Sequence, residues 1–440
     1  MSPILSFCPP DTAKIKLWTL STIITMPTRS FISIIFALTL GSCVGSSDRS
    51  STDFSWVNDS IVVGRSSQMA LSVNAPIEIR INQASDVDCI SLKEFADTVE
   101  TIVLETTEES LIGRLEKIMM INDTFYVLDR MKHPGLYLFE RNGKFIGRVG
   151  ARGQGPEQYS EPTDFDVSGD TIYILDQFRS KLHVFDKRRD HAYTKNIPFI
   201  ATGISVMNDS VMMFNNIDAD NHHLGPLIDY SVYITDSDLN IDKYGFKREH
   251  GKYNSFWEPT NFYRNGNLTY YHPYLSPDVY TITPDGEAAK SFQVNFGQHA
   301  LPDEYFFTEN RKKLDDAENN DNYYIFNSDF FATTNWEYFA FAKAHWVRHV
   351  LADRNGNAKV STLLLEDLVN NIPVRSIYGT TGDMLIGGFD PSDLIPGFTN
   401  ATEEQRRKLL TAKGYELCQQ LSADDNPVLF LITLKGDRRK

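Results

Sequence analysis

The sequence contains few of the features that usually identify a function. Its 440 residues include 4 Cys and 10 Met, and the patterns HExxH, CxxC, GxSxG and the Walker phosphate loop are all absent. No motif therefore indicates an enzyme class. Basic residues are also scarce, with 43 Lys and Arg against 58 Asp and Glu, which argues against a nucleic-acid-binding protein.

Aromatic residues, in contrast, are abundant. The chain has 28 Phe, 20 Tyr and 5 Trp, and 41% of its residues are hydrophobic. Aromatic side chains favour strands because they pack well on a pleated surface. The composition therefore predicts a folded, all-β protein rather than a helical bundle.

The N-terminal region predicts secretion. A short cationic start, Met26 to Arg29, is followed by the apolar residues 31–40 and then by Gly41, Ser42 and Cys43, the order of a bacterial signal peptide. The residues that end at Cys43 resemble a lipobox, so we expect cleavage before Cys43 and lipid attachment to it. A transmembrane anchor is the weaker alternative, because the apolar run is shorter than the roughly 20 residues that a bilayer requires.

These features divide the chain into three predicted regions. Residues 1–42 are a signal peptide with a mis-called start, the true start being Met26. Residues 43–87 are a lipid-anchored tether and N-terminal segment, and residues 88–440 are the folded domain. Without residues 1–42 the net charge is −17. An oxidising envelope would allow Cys89 and Cys418 to pair, but their separation leaves this open.

The folded domain repeats itself. Residues 121–129 align with residues 167–176, which places Asp129 and Asp176 at an interval of 47. Residues 161–165 match residues 258–262 about two such intervals later. A period of 45 to 50 residues built from short aromatic strands is typical of a β-propeller, with one four-stranded sheet for each blade.

Two sets of turns rich in Asn, Asp and Gly divide each repeat into four strands. They predict six blades. The sixth blade lacks an outer strand in the C-terminal part of the chain, so we expect residues 98–104 to supply it beside residues 428–434. Pairing of the two ends of the chain would remove the exposed sheet edges.

One part of this pattern resembles a known repeat. Residues 147–156 (GRVGARGQGP), Tyr159, residues 172–176 and residues 182–186 are similar to an NHL repeat. More loosely, residues 88–440 resemble the six-bladed β-propeller lipoproteins of Gram-negative bacteria. This resemblance implies a propeller fold and a cell-envelope location, and that family has no single assigned activity.

Long connections are predicted on one face of the propeller. Residues 215–229, 246–259, 300–329 and 389–425 are all long, and two of them contain helical patterns, at residues 302–318 and 402–421. In the second, residues 402–405 form a capping box. Small helical insertions are therefore expected on this face, where propellers commonly bind partners.

Acidic residues in the turns are predicted to be structural. Asp129 and Asp176 end second strands, where a carboxylate commonly accepts hydrogen bonds from the backbone of the next turn. Asp236, Asp238 and Asn240 imitate the start of a calcium loop, but the rest of that motif is missing.

Histidines provide a hypothesis for a metal site. Five of the ten occur in predicted connections between second and third strands, which surround the mouth of the central channel: His133, His222, His223, His272 and His345. Converging imidazoles would hold a transition metal with an open position for water. The alternative is that these histidines never meet.

Cationic residues of the first two blades provide a second hypothesis. The predicted binding residues there are Arg130, Lys132, His133, Arg152, Gln154, Arg179 and Lys181. Arg152 and Arg179 are expected to form a fork for a carboxylate or sulfate, because guanidinium groups offer paired donors.

The sequence thus predicts an outer-membrane lipoprotein, facing either the periplasm or the outside. It would act as a binding or scaffold module for a protein or glycan partner, including an anionic one, through its loop-rich face. Contact with the membrane is expected through the lipid anchor alone, and no cofactor is predicted. The alternative function is a metal-assisted lyase or hydrolase at the channel mouth.

Overall fold

The computed structural model describes residues 53–57, 64–72, 75–216, 221–247, 262–266, 268–302, 305, 322–326, 330–344 and 346–436. In these residues the strands form seven sheets, of which six have four or more strands. Each of the six is built on four consecutive antiparallel strands, or on three completed by a strand from the N-terminal region. We number them sheet 1 to sheet 6 in chain order.

Sheets 1 and 2 each contain four strands in simple up-and-down order. The strands of sheet 1 are Lys117–Ile121, Thr124–Asp129, Gly135–Glu140 and Phe145–Val149. The strands of sheet 2 are Asp164–Ser168, Thr171–Asp176, Lys181–Asp186 and His191–Asn196.

Sheets 3, 4 and 5 follow the same order. The strands of sheet 3 are Gly203–Asn208, Val211–Asn215, Tyr230–Thr235 and Ile241–Lys247. The strands of sheet 4 are Phe262–Asn265, Leu268–Tyr271, Asp278–Ile282 and Glu287–Asn295. The strands of sheet 5 are Phe330–Ala332, Trp336–Lys343, Trp346–Asp353 and Ala358–Ser361.

An N-terminal segment, residues 67–91, runs along the outer edges of these three sheets, and we call it the belt. It pairs in parallel with the last strand of sheets 3, 4 and 5 in turn. It then joins a small seventh sheet. Its strands are Ser67–Gln68, Ala70–Ser72, Ile77–Arg80, Ser85–Asp86 and Ile90–Ser91, and the small sheet also contains Leu364–Glu366 and Ile372–Val374.

Sheet 6 joins the two ends of the chain, as the sequence predicts. Its strands are Ser376–Thr381, Met384–Phe389, Val428–Leu434 and Ala96–Val103. Val428 pairs with Val103 and Phe430 with Thr101 in an antiparallel ladder. The predicted pairing of the termini is therefore confirmed.

Glycines allow sheets 6 and 1 to approach closely. A Cβ atom on Gly379 would lie 2.2 Å from the carbonyl oxygen of Ile118, so the first strands of the two sheets touch through their backbones. Gly143 has φ +89° in the last turn of sheet 1, and a Cβ atom there would lie 2.1 Å from the carbonyl oxygen of Val103. Both positions require glycine.

Among the described residues, three of the four α-helices lie in the connection between the second and third strands of sheet 6. The α-helices are Leu92–Phe95, Pro391–Asn400, Glu403–Leu409 and Ala412–Gln420, and short 3-10 helices span Ile81–Gln83, Gln177–Arg179, His222–Asp229 and Gly297–His299. The capping box predicted for Thr402 and Gln405 is present. The helical pattern predicted at 402–421 is confirmed, and it forms two helices, because Thr411 accepts a hydrogen bond from Gly414 N and starts a second one. Most of the helix predicted at 302–318 lies outside the described residues.

The arrangement of the sheets is consistent with a β-propeller. First strands of successive sheets contact one another around a common axis, for example those of sheets 2 and 3 and those of sheets 6 and 1. Aromatic side chains pack between the sheets, among them Phe165, Phe214 and Phe262, which are almost wholly buried. Among the described residues, no helix is long and apolar enough to cross a membrane.

Candidate functional site

A cavity of about 190 Å³ lies on the axis, where the first strands of all six sheets meet. One residue from each of these strands illustrates its mixed lining: Met119, Asp166, Ser205, Arg264, Phe331 and Thr380. The cavity therefore combines apolar walls with charged groups.

Lys117 and Asp164 form a buried ion pair between sheets 1 and 2. The two charged atoms, Lys117 Nζ and Asp164 Oδ1, are 2.8 Å apart, and the side chains are 11% and 0% exposed. The ammonium group also donates to the carbonyl oxygen of Phe165 at 2.7 Å. Burial raises the pKa of Asp164, and the Lys117 charge opposes this shift.

Asp164 also contacts sheet 3. Its Oδ2 atom accepts a hydrogen bond from the backbone N of Ile204 at 2.9 Å, and Oδ1 accepts one from Phe165 N at 2.7 Å. One carboxylate thus links the first strands of three sheets, which fixes them against one another.

Arg264 and Asp166 form a second buried pair across the axis. Arg264 Nη2 donates to Asp166 Oδ1 at 2.9 Å, and Nη1 donates to the carbonyl oxygen of Val206 at 2.6 Å. Asp166 Oδ2 accepts from Val206 N at 2.6 Å. Sheets 2, 3 and 4 are therefore joined by one guanidinium group and one carboxylate.

Asn265 connects the other half of the ring, at the end of the first strands. Its Nδ2 atom donates to the carbonyl oxygens of Ala332 and Gly382 at 2.8 and 2.9 Å, and its Oδ1 atom accepts from Gly382 N at 3.0 Å. These bonds join sheets 4, 5 and 6 on the side opposite to the long connections.

Sheet 5 contains a further buried carboxylate. Glu337 is fully buried, and Arg354 Nη1 lies 3.0 Å from its Oε1 atom. Burial raises the pKa of Glu337 to about 7, although the charge of Arg354 lowers it. Its ionisation therefore changes near neutral pH.

The acidic residues that end the second strands are structural, as predicted. Asp129 is fully buried, and its carboxylate accepts hydrogen bonds from five backbone N–H groups, those of Gly113, Arg114, Met131, Lys132 and His133, at 2.7 to 3.2 Å. Asp176 is also buried, and it accepts from Ser160 N and Ser160 Oγ, both at 2.6 Å. Asp236 organises its own turn by accepting from Asp238 N and Asn240 N.

Arg152 and Arg179 contact the glycine-rich connection of residues 150–163 separately. Arg152 Nη2 lies 3.1 Å from Glu161 Oε1, and its Nε atom donates to Ser160 O. Arg179 donates to the carbonyl oxygens of Gly153 and Gln158 and to the side chain of Gln154. The structure thus brings Arg179 and Gln154 together, while Arg152 pairs with an acid.

The other predicted cations lie beside the second strands of sheets 1 and 2. Arg130, Lys132 and His133 follow Asp129 in the connection that its carboxylate orders. Lys181 begins the third strand of sheet 2, directly after the turn that contains Arg179.

The predicted histidines are engaged in separate contacts. His223 Nε2 lies 2.8 Å from Pro198 O, and its ring stacks on Phe54. His272 Nε2 lies 2.9 Å from Ser276 O, and its ring stacks on Phe326. His222 lies beside His223, in the 3-10 helix His222–Asp229 of sheet 3, and His345 lies outside the described residues. Over the part of the chain that the structure describes, no three His, Cys, Asp or Glu residues are grouped as metal ligands.

Cys89 and Cys418 are both buried and do not form a disulfide with each other. Burial raises the pKa of Cys418 to about 12. The predicted lipidation site, Cys43, lies outside the described residues.

Sequence reasoning missed the buried charges of the axis, although the repeat contained a signal for one pair. Lys117 and Asp164 are 47 residues apart, which is the repeat interval. They occupy equivalent positions in the first strands of neighbouring sheets. Opposite charges at such positions must meet, because first strands of neighbouring blades lie side by side around the axis.

Comparison with known proteins identifies a family and a similar fold. Residues 76–433 match the family model described as a domain of unknown function, DUF4934. No curated protein matches the sequence.

Solved structures of several bacterial proteins are similar. One is a protein from Bacteroides fragilis NCTC 9343 described as exported, with a TM-score of 0.69 and 17% identity over 82% of this chain and 100% of that chain. A member of the DUF4221 family from Bacteroides vulgatus has a TM-score of 0.44 and 9% identity, covering 77% and 97%. A virginiamycin B lyase from Staphylococcus aureus has a TM-score of 0.34 and 11% identity, covering 66% and 81%.

Proposed function

Because the chain belongs to the DUF4934 family, whose description gives no activity, we propose a function from its own residues. In this proposal the protein is an envelope-anchored, six-bladed propeller that acts as a scaffold and binds a protein or glycan partner through its loop-rich face. The observation that carries this proposal is the contrast between a ring locked at its axis and its varied connections on one face.

The locked ring supports a scaffold role. The axial ion pairs Lys117–Asp164 and Arg264–Asp166 and the bonds of Asn265 join all six sheets. The ladder of sheet 6 joins the chain ends. A ring held in this way presents its connections in fixed relative positions, which reduces the entropy lost when a partner binds.

The loop-rich face supports binding of an anionic group. Arg152 is 56% exposed in its side chain although it pairs with Glu161. Arg179 lies in the neighbouring turn, and Lys181 begins the strand that follows it. A local cationic field on a chain of net charge −17 would attract a carboxylate or sulfate of the partner.

The anchor is tested by the variant Cys43→Ser. If lipid is attached to Cys43, the wild-type protein will incorporate radiolabelled fatty acid and the variant will incorporate none. Uptake of label by Cys43→Ser would overturn the lipobox interpretation.

Partner binding is tested by the double variant Arg152→Ala/Arg179→Ala. Charge-assisted contacts predict a loss of about 2 kcal/mol in affinity for an acidic glycan or peptide recovered from membranes, and a weaker salt dependence of the remaining affinity. Binding constants would be measured across a salt series.

The matched control is Lys187→Ala/Arg188→Ala, which removes two exposed cations from the turn between the third and fourth strands of the same sheet. This turn lies on the opposite side from the loop-rich face. Equal affinities for the wild type and the Arg152→Ala/Arg179→Ala variant would exclude the patch as the binding site.

A further inference from the structure

Exposed apolar side chains are concentrated on the loop-rich face. Of the ten large hydrophobic residues that are exposed among those described, five lie there. Met131 and Phe178 occupy the connections between the second and third strands of sheets 1 and 2, and Trp346 is the first residue of the third strand of sheet 5; they are 47%, 53% and 50% exposed. Val347 follows Trp346, and Trp56 belongs to the N-terminal segment. Solvent-exposed aromatic tips at separate points of one face call for an explanation.

Cations accompany these tips. Arg130 and Lys132 flank Met131 in the sequence, and Arg179 follows Phe178. Lys343 precedes the turn that leads to Trp346. The acids that end the second strands before Met131 and Phe178 are instead fully buried. Asp129 accepts hydrogen bonds from backbone N–H groups, and Asp176 accepts from the N–H and the hydroxyl of Ser160. The tips therefore combine apolar and cationic side chains.

Residues 54–57, which precede the belt, contact the ring at this face. Phe54 stacks on His223, in the connection between the second and third strands of sheet 3, at a ring distance of 4.1 Å. Val57 packs against the core shared by sheets 2 and 3. The chain therefore enters the described structure at the loop-rich face, at Asp53, and Cys43 lies ten residues before Asp53 in the sequence.

These observations point to one occupant, and we propose that the loop-rich face rests on an anionic lipid bilayer. Trp, Phe and Met at the tips enter the interfacial layer, while Arg and Lys contact anionic headgroups. A tether of about ten residues spans at most roughly 35 Å, so an anchor on Cys43 would hold this face close to the membrane. This inference rests on the proposed lipid anchor, which brings the protein to the membrane. It limits the partner of the proposed function to a component of that membrane.

The experiment uses the full mature lipoprotein in phosphatidylcholine vesicles that contain phosphatidylglycerol and brominated acyl chains. A fluorophore is attached to Met131→Cys or Phe178→Cys on the loop-rich face. Control labels are placed at Leu268→Cys, on the opposite face, and at Leu71→Cys, on the belt; both residues are at least 50% exposed. Cys89 and Cys418 are buried and will label little.

The proposal predicts that bromine quenches the labels at 131 and 178 several-fold more than those at 268 and 71. With the label at 178, Met131→Ser/Trp346→Ser will reduce quenching, whereas Leu71→Ser/Leu268→Ser will not. Omission of phosphatidylglycerol will also reduce it.

Equal quenching at all four labelled positions, or none at 131 and 178, overturns the proposal. The proposal is also overturned if a soluble acidic glycan binds the loop-rich face while the bilayer leaves the labels at 131 and 178 unquenched. If Cys43→Ser incorporates no fatty acid, the anchor is supported. If the labels at 131 and 178 are unquenched in the same set of experiments, the membrane contact alone is rejected.

Discussion

Replacing Lys117 with Met is expected to destabilise the protein by about 3 to 5 kcal/mol at pH 7, because it leaves the carboxylate of Asp164 buried without its partner. The loss will shrink on acidification. Burial already raises the pKa of Asp164, and removal of the ammonium group raises it further. Protonation in the folded state then stabilises the variant as the pH falls toward 4. Denaturant unfolding at several pH values measures both effects.

A double variant and a surface pair serve as controls. Lys117→Met/Asp164→Asn will recover part of the lost stability at pH 7 and lose the pH dependence, since no charge is then buried at this point. Lys187→Met breaks an ion pair of similar length, 2.6 Å to Asp170, that is more than 60% exposed on both sides. That variant will unfold like the wild type. A loss below about 1 kcal/mol in Lys117→Met would contradict a locking role for the axial pair.

Asp129→Ala is expected to cost about 3 to 5 kcal/mol of unfolding free energy, because five backbone N–H groups lose their acceptor inside the protein. Asp129→Asn keeps one acceptor oxygen, so its unfolding free energy will lie between those of Asp129→Ala and the wild type. Thermal and denaturant unfolding provide the measurement.

The matched control for this change is Asp170→Ala. Asp170 is 67% exposed and pairs with Lys187 in the turn before the second strand of sheet 2. Its loss will leave the stability almost unchanged. If Asp129→Ala behaves like Asp170→Ala, the buried carboxylate does not organise the connection that contains Met131.

Local signals in the sequence were enough to locate the hairpins. Asn122-Asp123 and Gly169-Asp170 separate first and second strands where predicted, because their left-handed or tight conformations favour these residue types. The pairing of residues 428–434 with the N-terminal strand followed from counting strands. These features depend on neighbours in sequence or on a simple total.

Other features depended on contacts that a repeat pattern does not encode. The parallel belt of residues 67–91 has short strands of two to four residues and no turn signals to mark it. The break between the helices Glu403–Leu409 and Ala412–Gln420 reflects Thr411, whose side chain also donates to Val369 O. Such tertiary contacts override local helical spacing.

The belt and the N-terminal strand of sheet 6, Ala96–Val103, also determine the order in which the molecule can assemble. Ser67 pairs with Lys243, and Ala96–Val103 pairs with Val428–Leu434. The N-terminal residues leave the ribosome first, whereas the partners of residues 67–68 are made about halfway through synthesis and those of residues 96–103 near its end. Each of these ladders therefore closes a loop of more than 170 residues, an entropic cost that slows folding. The belt stays unpaired until the last strands of sheets 3, 4 and 5 have been made, so the nascent chain exposes unpaired strands during its synthesis.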